Sequence, residues 1–147
     1  SHQGVPDIRL LVYRGIPTMA MVRLPTRQSD GKANLHQGAI GVGIDIETGV
    51  TTSGVWFNRE VDEHPDLGTQ LKGIQIPSWQ DLLTLAASCY ELTGLGYLGV
   101  DIVLDKKHGP LILEINARPG LSIQIANQKG LSPLLNQIDG GHCRLEM

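Results

Sequence analysis

Alternating apolar and polar residues predict two β-hairpins in the first 57 residues. The predicted strands span 5–13, 18–24, 39–46 and 50–57, and turn-forming residues at 14–17 and 47–49 join the members of each pair. Gly38, Gly41 and Gly43 are predicted to thin the face opposite Ile40, Val42 and Ile44. Because glycine leaves room for close approach, we expect another element to contact the sheet at this face.

A helical pattern of apolar residues predicts one long helix after a polar, irregular segment over 58–76. The apolar positions at helical spacing are Leu82, Leu83, Ala86, Cys89 and Tyr90. Ser78 followed by Asp81 resembles a capping box and predicts the helix start, and Gly94 is expected to end the helix. We expect Cys89 to belong to the core and Trp79 to pack at the start of the helix.

The last third of the chain predicts a third hairpin and a short helix. Strands are predicted over 97–104 and 111–116 around a turn at 105–110, and the helix is predicted over 121–128. Together these elements indicate an α+β fold with a mostly antiparallel sheet and helices packed on one face.

Length and composition indicate one globular domain, because 147 residues are enough for a single sizeable core. A net charge of −3 argues against nucleic-acid binding as a main function, since affinity for phosphate backbones needs a basic surface. The sequence has no apolar run of about 18 residues and therefore no predicted membrane span.

Cys89 and Cys143 lie far apart in unlike contexts, which indicates a reducing cytoplasm. His64, His108 and His142 lack metal-ligand spacing and are predicted to be surface residues.

The third hairpin carries the most informative polar residues of the sequence. Folding it about the middle of its turn places Asp101 directly opposite Glu114, with Asn116 on the same side. Like charges that face each other destabilise a sheet, whereas two carboxylates and an amide oxygen suit Mg²⁺ completed by water and phosphate oxygens. An exposed polar face without a ligand is the alternative interpretation.

The same folding also makes predictions about the apolar side of this hairpin. It places Leu104 opposite Leu111. Leu111, Leu113 and Ile115 are expected to face the core, and the two carboxylates are expected on the opposite face.

Segments around these carboxylates resemble the C-terminal half of the ATP-grasp ligases. The sequences GVD over 99–101 and LEINARPG over 113–120 match their metal motif, an Asp on one strand and Glu-x-Asn on the next. The chain looks most like the α-L-glutamate ligase group, supported by PDIR over 6–9 and KANLHQG over 32–38. The resemblance implies that 5–135 is the C-terminal ATP-grasp subdomain, 1–4 a tag or linker remnant and 136–147 a tail.

The resemblance also implies a metal site and a reaction. Asp101, Glu114 and Asn116 would hold one or two Mg²⁺ ions, with Mn²⁺ as an alternative ion, bridging the phosphates of ATP. A substrate carboxylate would take the γ-phosphoryl group to give an acyl phosphate, and an amine would then displace phosphate. Positioning and electrostatics would carry the catalysis.

Five further residues match family positions near phosphate or substrate. Arg9 and Arg23 are implied to bind phosphate or acyl phosphate, and Asn34 and His36 to line the phosphate or substrate side of the site. Arg118 is implied to hold a carboxylate or bicarbonate, for which the fork of a guanidinium is well suited. The alternatives stay open: Arg9 and Arg23 as surface cations, and His36 as a turn cap.

The implied activity is that of a ligase for small-molecule or peptide carboxylates and amines. Glutamate is one implied substrate, and a sugar-linked amine in cell-surface sugar biosynthesis is another. The phosphate-binding lysine and adenine pocket of the family's first subdomain have no match in this sequence. We therefore expect the chain to lack the N-terminal half of its fold, to be inactive alone and to self-associate through an uncovered cleft face. The alternative function is a non-catalytic binding or regulatory module that retains the ATP-grasp sheet.

Overall fold

The computed structural model describes residues 7–32, 34–117, 119, 122–128, 130, 133–136 and 138–139. Its strands are β1 (Asp7–Tyr13), β2 (Ile16–Leu24), β3 (Ile40–Ile44), β4 (Thr51–Trp56), β5 (Arg59–Val61), β6 (Tyr97–Asp105) and β7 (Gly109–Asn116). Helix α1 spans Trp79–Thr93, helix α2 spans Ser122–Asn127, and Leu35–Gln37 form a 3₁₀ turn.

The described strands form one seven-stranded sheet in the order β5-β4-β3-β2-β1-β6-β7. Every neighbouring pair is antiparallel, which confirms the predicted α+β class and the antiparallel sheet. Strand β5 was not predicted, since its three residues lie in a polar segment without alternation. No helix in the described part of the chain is long and apolar enough to cross a membrane.

One face of the sheet packs against α1 and forms the main core. Alternate residues of β1, Ile8, Leu10 and Val12, are buried on this face, as the alternation predicts. The other buried members from the sheet and α1 include Ala20, Val22, Ile40, Val42, Ile44, Leu82, Ala86, Cys89, Leu98, Val100 and Ile102. The predicted core position of Cys89 is therefore confirmed.

Both ends of α1 lie where the sequence predicts them, but only one has the predicted cap. Gly94 adopts a left-handed conformation with φ 69° and donates its N–H to the Tyr90 carbonyl, so the predicted helix end is confirmed. Ser78 directly precedes the helix, so the predicted start is confirmed, but the predicted capping box is wrong, because Ser78 has φ 58° and its side chain makes no capping hydrogen bond. Trp79 is buried at the helix start, and its indole N–H donates to the Ile46 carbonyl.

The opposite face of the sheet, named the site face here, is covered in part by α2. Leu11, Met19 and Met21 pack there against Ile123 and Ala126. Helix α1 packs on one face of the sheet, and α2 packs on the other, against strand residues that alternate with those facing α1. The expectation of helices on one face therefore holds for α1 only.

Helix α2 approaches the sheet closely at two of the three glycines that the sequence singles out, whereas the third, Gly38, lies against Gln28 and Phe57. A Cβ on Gly41 would lie 3.2 Å from the Ala126 Cβ, and one on Gly43 would lie 2.9 Å from the Ala126 carbonyl oxygen. The prediction that another element contacts this face is confirmed.

A β-bulge changes the register of the hairpin formed by β6 and β7. Asp101 pairs with Glu114 as predicted, but Ile102 pairs with Ile112, so Leu113 is the extra residue. Leu104 consequently pairs with Pro110, and its predicted pairing with Leu111 is wrong.

The bulge also changes which apolar residues of β7 face the core. Ile112 and Ile115 pack against the α1 core, whereas Leu111 and Leu113 are 42% and 63% exposed. The prediction that Leu111 and Leu113 face the core is therefore wrong, and the prediction for Ile115 is confirmed. Because Ile112 and Ile115 both face the core, Leu113 and Glu114 lie together on the site face.

The predicted surface position of His64 is wrong, because only 4% of the residue is exposed. Its Nε2 lies 3.0 Å from the Pro25 carbonyl, and its Nδ1 accepts from the backbone N–H groups of Asp66 and Leu67. His108 is exposed as predicted, and His142 lies outside the described residues.

Replacing Gly43 with alanine should loosen the contact between α2 and the sheet. The new Cβ would lie 2.7 Å from both Asn127 Oδ1 and Thr52 Oγ1, so α2 must shift. We expect the free energy of unfolding to fall by about 1–3 kcal/mol, measured by urea denaturation. Gly96→Ala is the matched control, since nothing lies within 4 Å of its Cβ. An equal effect of both substitutions would contradict the contact.

Asp105 makes the hairpin turn between β6 and β7 pH-dependent. The backbone N–H of His108, the His108 ring and the Lys107 N–H lower the pKa of the Asp105 carboxyl. Its contribution to stability is present above the ordinary pKa and is lost as the pH falls through the lowered pKa of the folded state. Asp105→Asn should therefore destabilise the chain at pH 6, and the difference should shrink as the pH falls through the lowered pKa, as measured by denaturation at a series of acidic pH values. A difference that does not depend on pH would contradict this assignment.

Candidate active site

The centre of the site face is an ion pair between neighbouring strands. Arg9 of β1 and Asp101 of β6 are direct cross-strand partners. Arg9 Nε donates to Asp101 Oδ1 at 2.8 Å, and Arg9 Nη2 donates to Oδ2 at 3.0 Å. This bidentate geometry fixes the plane of the guanidinium and leaves Arg9 Nη1 outside these bonds.

A second arginine extends the pair into a network of alternating charges. Arg23 of β2 is the cross-strand partner of Asp7 and donates Nε to Asp7 Oδ1 at 2.8 Å and Nη2 to Asp7 Oδ2. The same Nη2 lies 3.1 Å from Asp101 Oδ2. Asp7, Arg23, Asp101 and Arg9 therefore form one continuous chain of ion pairs across β2, β1 and β6.

The network is largely shielded from solvent. Asp7 is 5% exposed and Asp101 is 3% exposed. Burial raises the pKa of Asp7, against the opposing effect of Arg23. Burial pulls the pKa of Arg23 down, but its hydrogen bonds to the two carboxylates outweigh burial and raise it. The bidentate geometry needs an ionised Asp7, so we take both partners as charged at neutral pH.

Glu114 and Asn116 of β7 lie at the open side of the network. Glu114 is exposed, and it is the cross-strand partner of Asp101. With its amide oriented to satisfy its neighbours, Asn116 donates to Glu114 Oε1 at 3.2 Å and accepts from Arg9 Nη2 at 3.2 Å. The predicted metal ligands are thus neighbours, and the amide of Asn116 links Glu114 to Arg9.

The oxygens of this site retain electron pairs for a cation. A carboxylate has about four acceptor positions, and arginine N–H groups take three of those on Asp101, so within the described part of the chain one remains on Oδ1. The contacts among the same residues also leave acceptor positions on Asn116 and Glu114. No group of three or more His, Cys, Asp or Glu residues forms a metal cage in the described part of the chain. The residues therefore fit Mg²⁺ that keeps several waters or phosphate oxygens as ligands.

Two exposed leucines border the charged residues. Leu113 is adjacent to Glu114, and Leu111 lies two residues before Leu113 on the same edge strand. Because the bulge turns both leucines out of the α1 core, they add an apolar border to an otherwise charged site. The sequence did not predict this border, since regular alternation assigns both leucines to the core.

The remaining predicted site residues lie elsewhere or outside the described chain. Asn34 and His36 belong to the loop between β2 and β3, where the Asn34 carbonyl accepts from the N–H groups of Gln37 and Ala39. The side chain of His36 and all of Arg118 lie outside the described residues. Their predicted roles remain predictions.

Asp7 is the buried charged residue of this site that sequence reasoning did not assign. It lies at the first described position of β1 and is the cross-strand partner of Arg23, sixteen residues away. The available signal was an Asp and an Arg on the same side of two strands of one predicted hairpin, a pair that the alternation brings together.

Comparisons with known proteins agree on one superfamily. The model of a family described as sugar-transfer associated ATP-grasp matches residues 1–140. A curated relative from Maridesulfovibrio salexigens, named as a probable alpha-L-glutamate ligase, is 28% identical over 121 residues. The match covers 82% of this chain and 29% of the relative, so the chain spans less than a third of that protein.

The chain is also similar to solved structures of the ATP-grasp ligase PsnB. Its complex with minimal precursor, Mg and ADP gives a TM-score of 0.49 at 17% identity, covering 92% of this chain and 33% of PsnB. A second complex, with a phosphomimetic variant of the precursor, gives a TM-score of 0.48 at 16% identity, covering 90% and 30%.

Arg9→Lys should destabilise the chain although it keeps the positive charge. A lysine ammonium cannot reproduce the bidentate contact with Asp101, so a buried carboxylate loses part of its hydrogen bonding. We expect the free energy of unfolding to fall by about 1–3 kcal/mol in urea denaturation. The same exchange at the exposed Arg27 is the control, with an expected change within about 0.5 kcal/mol. Equal effects at both positions would show that the fork geometry of Arg9 is unimportant.

Proposed function

Because the chain belongs to the sugar-transfer associated ATP-grasp family, we propose that it provides the metal- and phosphate-binding part of an ATP-dependent carboxylate–amine ligase. The main observation behind the proposal is the network of Arg9, Arg23 and Asp101 beside Glu114 and Asn116. Oxygen ligands for a cation lie there beside N–H donors for phosphate, which is the combination that phosphoryl transfer requires.

In this proposal, Glu114, Asn116 and the free acceptor position of Asp101 hold one or two Mg²⁺ ions, which Mn²⁺ can replace. Bound Mg²⁺ supplies positive charge that polarises the γ-phosphate and neutralises the charge that moves during transfer. Among the described residues of the site, two arginines stand against three carboxylates, a net charge of −1 that favours a divalent cation.

The two arginines are proposed to bind phosphate and acyl phosphate oxygens. Arg9 Nη1 and Arg23 Nη1 take no part in the bonds to Asp7 and Asp101, so each guanidinium keeps two donors in a fixed direction. Such preorganised donors stabilise charge without reorganising during the reaction.

Further residues are assigned to substrate and nucleotide contacts. The exposed Leu111 and Leu113 are proposed to form an apolar surface for the base of the nucleotide, since a purine face prefers apolar neighbours. Asn34 and His36 are proposed to line the phosphate or substrate side, and Arg118 to hold a substrate carboxylate.

The proposed reaction has two balanced steps. A substrate carboxylate oxygen attacks the γ-phosphorus of ATP, and the bond between that phosphorus and the leaving ADP breaks, giving an acyl phosphate. An amine then attacks the acyl carbon, phosphate leaves and the amine loses a proton, giving an amide. No nucleophilic side chain is required, so orientation and charge stabilisation by this chain carry its contribution.

The substrate class is proposed from the names of the relatives. The alpha-L-glutamate ligase relative favours addition of an amino acid, and the sugar-transfer description of the family favours a sugar-linked substrate. Small molecules and peptides with a carboxylate or an amine are therefore the candidate substrates. Because the reaction consumes ATP, we place it in the cytoplasm. We expect turnover in the protein at its natural length, since this chain spans 29% of the glutamate ligase relative.

Removing the two carboxylates of β6 and β7 should abolish metal-dependent ATP use. In the protein at its natural length, Asp101→Asn with Glu114→Gln should reduce Mg²⁺-dependent release of ADP by at least about 100-fold. The matched control is Asp45→Asn with Glu47→Gln, which removes the same charge from an exposed acidic pair elsewhere. Loss of activity in the first variant alone is the expected result.

Two results would contradict the proposed function. Full Mg²⁺-dependent ADP release by the Asp101 and Glu114 variant would exclude these carboxylates as the metal site. Wild-type protein that neither binds nor hydrolyses Mg-ATP would favour the alternative function, a non-catalytic binding or regulatory module built on the ATP-grasp sheet.

A further inference from the structure

Arg23 divides its hydrogen bonds unequally between two buried carboxylates. Two of its N–H groups, on Nε and Nη2, contact Asp7, and the same Nη2 makes a single contact of 3.1 Å with Asp101. Asp7 therefore accepts hydrogen bonds from both Nε and Nη2 of the guanidinium, whereas Asp101 is contacted by Nη2 alone. Nothing else in the chemistry proposed above requires a carboxylate at position 7.

This division decides how many acceptor positions remain on Asp101. Arg9 takes two of its acceptor positions and Nη2 of Arg23 takes a third, so the contacts among the described residues leave about one on Oδ1. If Arg23 turned its fork toward Asp101, that last position would also receive an N–H donor. A second bidentate arginine would compete directly with any cation for the same carboxylate.

We propose that Asp7 is a positioning residue that holds Arg23 away from Asp101 and thereby keeps one oxygen position of Asp101 open to a divalent cation. The inference rests on the function proposed above, because it concerns the cation site of that function. Asp7 itself contacts neither the cation nor the substrate. Its effect is transmitted through Arg23, which is the residue that Asp7 and Asp101 share.

Physical competition between the two carboxylates supports this role. Arg23 is 13% exposed at its side chain, so its charge cannot be left to water if Asp7 is neutralised. The nearest remaining carboxylate is Asp101, already within 3.1 Å. Because attraction between charges is stronger in a buried site than in water, the freed fork is expected to turn toward Asp101.

The test measures Mn²⁺ binding without nucleotide or turnover, by electron paramagnetic resonance of the protein at its natural length. Asp7→Asn should weaken Mn²⁺ binding about tenfold, a typical cost of changing a residue that orients a metal ligand. Asp45→Asn is the matched control, because it removes an exposed carboxylate outside the site and should change the affinity less than twofold.

A second variant separates this role from a general loss of structure. Asp7→Asn combined with Arg23→Gln removes the cation that would otherwise turn toward Asp101, so Mn²⁺ binding should return to within about threefold of wild type or become tighter. Removing both members of a buried pair can also restore stability, so both variants are compared under conditions in which urea denaturation shows them to be folded. A purely structural role of Asp7 would then leave the Mn²⁺ affinity of the folded Asp7→Asn protein unchanged.

Each outcome bears on the proposal. Unchanged Mn²⁺ affinity in folded Asp7→Asn protein, or a double variant that stays tenfold weaker, would overturn the role of Asp7 while leaving the proposed function intact. If Asp7→Asn does not fold, the double variant alone tests the proposal, and Mn²⁺ binding that stays tenfold weaker than in wild type would overturn it. Wild-type protein that binds no Mn²⁺ would instead refute the metal site of the proposed function, and this inference with it.

Discussion

The rest of the structure depends on the neutralisation of one buried carboxylate in the middle of the site face. Asp101 is 3% exposed, and a charge so shielded from water requires a partner in contact. Arg9 provides that partner from the neighbouring strand, and Arg23 extends the pairing to Asp7. A one-residue slip of β1 would turn Arg9 toward the α1 core, so the ion pairs and the alternating apolar residues specify the same register.

The site face is divided into two regions by side-chain size. Gly41 and Gly43 of β3 let α2 approach the backbone closely, so α2 covers the region formed by β2, β3 and β4. The region formed by β1, β6 and β7 carries long charged side chains instead. This arrangement leaves Glu114 exposed at the edge of the sheet, beside the apolar side chain of Leu113. The glycines of β3 therefore keep α2 on one region of the site face, and the other region stays open to a ligand.

The parts of the fold that the sequence predicted depend on local pattern. Alternation gave the strands, the pairing of Asp101 with Glu114 and the glycine face, because each follows from the period of a strand. The bulge at Leu113 could not be predicted, since Leu111, Ile112 and Leu113 are all apolar and their sequence does not show which of them faces the core. The buried position of His64 depends on the carbonyl of Pro25, 39 residues away, and no local pattern reports such a contact.

The charge balance of the site explains why carboxylates accompany arginines at a proposed phosphate site. Asp7 and Asp101 neutralise Arg23 and Arg9, so the arginines offer directed N–H donors but little net positive charge. Glu114 makes the total over the described residues of the site negative, which disfavours phosphate alone. On the proposed function, one divalent cation would change the charge of these residues from −1 to +1 and so favour a phosphate chain. On the proposed function, the cation and the nucleotide therefore depend on each other for binding, and the ion-pair network ensures that bare phosphate is a poor ligand.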